Sequence, residues 1–121
     1  MSLSIYFLDN VGEDVEQQVC LNITHNLNKI VVECGKICSR NYYELIWKPD
    51  ELFNFPNGKV PVKLILNQLP TLIDDLLTKE NELKGYLPSN GYGTFDGLIR
   101  FLCDYLKECY KQKEAYIYCC R

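Results

Sequence analysis

Residues 94–119 read TFDGLIRFLCDYLKECYKQKEAYIYC, and a change of periodicity inside this stretch decides the fold class. Phe95, Leu98, Phe101, Leu102, Tyr105, Leu106 and Cys109 recur at the three- and four-residue spacing of a helix with one broad apolar face. Thr94 stands just ahead of them with a hydroxyl suited to cap the first turn. From Ala115 to Cys119 the pattern turns to alternation through Tyr116, Ile117 and Tyr118, which predicts a final strand. At the other end, residues 3–8 mix β-branched, aromatic and leucine side chains and stop at Asp9-Asn10-Val11-Gly12, a strand followed by a turn. Residues 16–21 predict a second strand returning from that turn. Strands at both ends with helices between them imply an α+β domain, about four helices packed on a small sheet. The N- and C-terminal strands are expected to pair with each other, because a short solitary strand leaves its backbone groups unbonded.

Between the two ends, Ile23, Leu27, Ile30, Val31 and Cys34 predict a first helix from near Thr24, with Asn22 or Thr24 as the capping oxygen. Gly35 falls where a left-handed terminal residue is wanted. A shorter helix over 41–47 follows, capped by Ser39 and stopped by Pro49. Apolar residues at 62, 65, 66, 69, 72, 73, 76 and 77 form one helical stripe that runs through Pro70. The unbroken stripe favours a helix kinked at Pro70. The other reading is a strand over 59–66 and then a helix capped by Asn67, with Pro70 in its first turn.

A chain of 121 residues, 47% of them apolar, fits one domain over 1–121 with a core of its own. Sixteen acidic against 13 basic residues, net −3, argue against a nucleic-acid binder. No apolar run approaches the ~18–20 residues that span a bilayer, so no membrane is expected. The seven cysteines are odd in number, and Met1 to Asp9 lacks the basic and apolar regions of a secretory signal. Together these features predict a reduced, cytoplasmic protein. The cysteine spacing lacks the paired ligands of a zinc site, so Cys34, Cys103 and Cys109 read as small core hydrophobes, and neither metal nor cofactor is expected.

Two loops stand out as candidate chemistry. Asn22-Ile23-Thr24-His25-Asn26 carries the single histidine beside amide and hydroxyl groups able to orient a polar ligand or support acid–base work. Its plainer reading is a capped helix start. Pro88-Ser89-Asn90-Gly91-Tyr92-Gly93-Thr94 runs into the last helix with two glycines, yet has neither the spacing nor the lysine of a phosphate-binding loop. Tyr42, Tyr43 and Trp47 are suited to an interface or a half-buried core, and residues 43 and 47 share a helical face. Asp74, Asp75, Glu80 and Glu82 read as a solvated face.

Asn22-Ile23-Thr24-His25-Asn26-Leu27, then Tyr43 with Leu45-Ile46-Trp47-Lys48-Pro49, then Asn90-Gly91-Tyr92-Gly93-Thr94 followed by Leu98, Phe101, Leu102 and Tyr105-Leu106, resemble in order and spacing a family of small uncharacterised bacterial and phage proteins. The resemblance covers nearly the whole chain. It departs after the first helix, where Lys36-Ile37-Cys38-Ser39-Arg40-Asn41 replaces a glycine–aromatic step. The family offers no activity. What the resemblance implies is that the two helix-start loops belong to one site formed by Asn22, Thr24, His25, Asn26, Trp47, Asn90, Gly91 and Tyr92. The expected function is a non-enzymatic binding or interaction protein of the cytoplasm, bacterial or phage in origin, whose partner is a protein or a small polar or anionic ligand. The alternative is a small enzyme or small-anion-binding protein that uses this polar site.

Overall fold

Leu3, Ile5 and Phe7 alternate along the first strand with Ser4 and Tyr6, so one face of that strand is apolar and must be covered. The computed structural model describes residues 2–9, 20–88 and 93–121. Strand β1 (Ser2–Leu8) lies between β2 (Cys20–Thr24) and β4 (Tyr116–Cys120), and β3 (Lys59–Pro61) completes a four-stranded antiparallel sheet in the order β2-β1-β4-β3. The terminal strands pair as expected, with Ile5 opposite Cys119 and Phe7 opposite Ile117. The fold is α+β with both terminal strands in the sheet. The predicted second strand over 16–21 is seen at Cys20 and Leu21, where β2 begins and from which it runs on to Thr24; residues 16–19 lie outside the described residues.

The register places Leu3, Ile5, Phe7, Ile23, Val60 and Ile117 on the inner face, all of them buried. The opposite face, with Asn22, Tyr118 and Cys120, is exposed. The inner face is covered by α1 (Asn28–Cys38), α2 (Tyr42–Trp47), α3 (Pro49–Leu52), α4 (Val62–Leu66), α5 (Leu69–Thr78), α6 (Glu80–Leu83) and α7 (Phe95–Lys111). Helix α7 is the long one, and the Thr94 hydroxyl accepts the Gly97 N–H at 3.0 Å, as its sequence predicts. Phe95, Leu98, Phe101, Leu102, Tyr105 and Cys109 face the core from it. Cys103, expected inside, is exposed, because the helical repeat places it away from the Leu98–Leu102–Tyr105 stripe.

The middle of the chain is cut more finely than about four helices. The stripe from Val62 does begin a helix and does bury Val62, Ile65, Leu69, Leu72 and Leu76. The helix breaks at Asn67 and Gln68, however, and Pro70 opens α5 in its first turn, where a missing N–H costs nothing. The alternative reading is right that Pro70 stands in a first turn, though its cap is Gln68 rather than Asn67, and its strand over 59–66 shortens to the three residues of β3. Gly35 is interior to α1 rather than its terminator; the left-handed residue is Ser39, with φ 57°. Glycine is required at 35 for space, since a Cβ there would stand 2.5 Å from the Arg40 carbonyl oxygen as the chain turns back. Helix α2 is capped by Asn41, whose side chain accepts the Glu44 N–H at 3.4 Å, and not by Ser39.

Candidate functional site

The end of β2 leads through the 3-10 turn His25–Leu27 into α1, and this turn brings the histidine against α2. Trp47 is fully buried at the end of α2 and donates its Nε1–H to His25 Nδ1 at 3.0 Å. Tyr43, one turn earlier, stacks on the indole with ring centroids 5.4 Å apart and planes within 7°. An imidazole that accepts at Nδ1 carries its neutral-state proton on Nε2. That Nε2–H is buried and finds no partner among the described residues. Arg121, following β4, donates from Nη1 to the Trp47 carbonyl oxygen at 2.8 Å and lies 3.4 Å from Asp50. One corner of the sheet thus gathers a fixed histidine, a stacked aromatic pair and a guanidinium.

Of the residues singled out from the sequence, His25 and Trp47 are brought into contact across 22 positions. Thr24 is the cap of the turn, its Oγ1 accepting the Asn26 N–H at 3.2 Å. Asn22 supplies no cap; its side-chain amide crosses to Ser4 Oγ at 2.8 Å. Asn90, Gly91 and Tyr92 lie outside the described residues. Their neighbour Gly93 is described: a Cβ on it would stand 3.0 Å from Leu27 Cγ and 3.4 Å from Thr24 Cγ2, and its φ is 135°. Only glycine adopts that backbone readily, so the chain entering α7 lies directly on the turn that opens α1.

Sequence reasoning passed over a second polar contact. Tyr42 is 2% exposed, and its hydroxyl donates to the Asp75 carboxylate, which also lies 3.8 Å from Arg40 Nε. Burial, and then the bond to Asp75, push the Tyr42 hydroxyl well above the ordinary tyrosine range. Asp75 was read as part of a solvated face because its partner is 33 residues away. Burial also pushes the Cys34, Cys109 and Cys119 thiols up to about 12, so these sulfurs stay protonated and inert. Among the described residues no group of three or more histidine, cysteine or acidic side chains is placed to hold a metal, and no helix is long and apolar enough to cross a membrane. A concavity of about 790 Å³ between Asp9, Tyr110, Lys113 and Tyr116 lies at the other end of the sheet and includes none of the candidate residues. Comparison with family models, curated proteins and solved structures gives no match to this chain.

Proposed function

We propose that the protein is a non-enzymatic binding module that recognises an anionic, hydrogen-bond-accepting group at the His25–Trp47 corner. The observation that carries this reading is the state of the histidine. Trp47 occupies the Nδ1 lone pair, so the ring offers a donor at Nε2 and no free lone pair with which to take a proton. A general base needs that lone pair, and on this ground the binding reading is preferred to the enzymatic one. His25 Nε2–H has no acceptor among the described residues, which costs about 1–3 kcal/mol that a carboxylate or phosphate oxygen recovers once the corner opens to admit it. Arg121 holds the backbone carbonyl of the same Trp47 and is paired with Asp50. The free described thiols support a reducing, cytoplasmic setting, and the resemblance supports a bacterial or phage origin.

The test is titration of the protein with acetate, inorganic phosphate and a short peptide ending in a free carboxylate. It is followed through the imidazole nitrogen resonances and by calorimetry. Saturable binding by one of these, with a shift at His25 Nε2 and loss in His25→Ala, supports the reading. Resonances of His25 that ignore all three probes, or binding that survives in His25→Ala, overturn it.

A further inference from the structure

His25 is the single histidine of the chain and Trp47 its single tryptophan, and the bond between them runs from Nε1–H to Nδ1 at 3.0 Å. The imidazole takes a proton only by giving up that bond, because a protonated ring carries N–H at both nitrogens. Protonated in place, His25 would turn one N–H toward the indole N–H. Its other proton, on Nε2, would stay buried with no acceptor among the described residues. A charge held there lacks both water and an acceptor. The titratable and charged groups on the elements that meet here are Lys29 of α1, set over the Tyr86 ring, Tyr43 and Glu44 of α2, the pairs Lys48–Glu51 and Arg121–Asp50, and Asp96 of α7. Among the described residues none of them is bonded to the imidazole.

The way out for the ring is short. His25 is half-buried in a three-residue turn whose cap, Thr24 Oγ1 on the Asn26 N–H, does not use the imidazole, so the ring can rotate to water without unmaking the turn. Trp47 stays in place, stacked on Tyr43 and held at its carbonyl oxygen by Arg121. The ring's departure leaves a fixed indole N–H beside an imidazolium, two kinds of donor and one positive charge at the same gap. We propose, building on the binding reading above, that protonation of His25 opens this corner and that proton and anion are taken up together. The anion then accepts from the indole N–H and from an imidazolium N–H. By linkage, an anion that prefers the protonated form binds more tightly as the pH falls. Imidazole is the side chain whose charge ordinarily changes between about pH 5 and 8, which sets the limits of the titration.

Two measurements on the full chain over about pH 8 to 5 test this, with circular dichroism to confirm that the fold persists. Without added anion, the indole Nε1–H resonance should move, and its exchange with water quicken about tenfold or more, in step with the imidazole nitrogens. Sulfate, whose charge is constant over this range, should bind about tenfold or more tightly at about pH 5.5 than at about pH 8. In His25→Asn, which offers the indole an amide oxygen and takes up no proton, both pH dependences should vanish. An indole resonance that stays fixed while the imidazole titrates overturns the proposal. So does an imidazole that stays neutral down to about pH 5 in the folded chain, or sulfate bound equally at both pH values. Sulfate that binds at neither pH overturns the binding reading and the joint uptake with it, while the indole resonance still decides the opening.

Discussion

Trp47→Phe, combined with His25→Ala in a double-mutant cycle, measures the bond on which the candidate site rests. Trp47 is wholly buried, and its Nε1–H reaches its acceptor at 3.0 Å, so both the ring and the proton contribute. Removing the proton forfeits a hydrogen bond worth about 0.5–1.5 kcal/mol. Shrinking indole to phenyl removes roughly 40 Å² of apolar contact, about 1 kcal/mol at ~25 cal/mol/Å², and leaves a gap that adds a similar amount. The stack on Tyr43 survives in part, since a phenyl ring occupies the same side. The total is about 2–4 kcal/mol. For a chain of 121 residues, with an unfolding entropy near ~2.1 cal/mol/K per residue, each kcal/mol moves Tm by about 4 °C, so the midpoint should fall by roughly 8–16 °C. His25→Ala alone strands the buried indole N–H; in the Trp47→Phe background there is no N–H to strand. The coupling energy should therefore be about 1–2 kcal/mol, read from urea unfolding followed by circular dichroism, which does not depend on the lost tryptophan. A coupling below about 0.3 kcal/mol would refute the claim that the two rings act as a donor–acceptor pair.

The remaining expectations are quickly stated. Leu102→Ala, at the buried centre of α7, should cost about 2–5 kcal/mol, whereas Thr94→Ala, which removes only the cap, should cost about 1 kcal/mol; equal effects in denaturant melts would contradict the packing of α7. Tyr105 is wholly buried, and its hydroxyl has no partner among the described residues, so Tyr105→Phe should leave stability unchanged or raise it by up to about 1 kcal/mol; a loss of more than about 1 kcal/mol would reveal a bond to that hydroxyl. The thiols of Cys34, Cys109 and Cys119 are raised in the fold from 9.0 to about 12 by burial. A raised acid binds more protons folded than unfolded, so its contribution is complete below pH 9 and is lost as the pH climbs from 9 towards 12. Urea midpoints should decline across that window. Alkylation at mildly alkaline pH should label the exposed Cys103 and Cys120 long before these three.

What the sequence disclosed follows the length of each signal. Helix α7 carries its stripe over 17 residues, and the terminal strands alternate cleanly, so the class and the pairing of the two ends were legible. β3 was not, because three residues hold too few alternations to separate them from the helix that starts at Val62, and Val62 belongs both to the alternation with Val60 and to the helical stripe. Gly35 was misread for a different reason. Local pattern suggests a terminator, whereas the need for glycine comes from the Arg40 carbonyl pressed against it by the returning chain. The site divided along the same line. Thr24 acts on Asn26, two residues away, and could be anticipated; Tyr42 meets Asp75 only because α2 and α5 are brought together by the shared core.

The position of β4 between β1 and β3 bears on how the chain comes to be folded at all. Leu3, Ile5 and Phe7 are made well before the strand that shields one side of them, which is drawn from residues 116–120, more than a hundred positions later. Closing a loop of that length costs about 4 kcal/mol in chain entropy before any contact compensates it. During synthesis the apolar β1 must therefore wait beside β2 and whatever helices have already formed, until residues 116–120 have emerged. Folding should be slow for a domain this rich in helix, and the waiting strand is the segment a chaperone would hold.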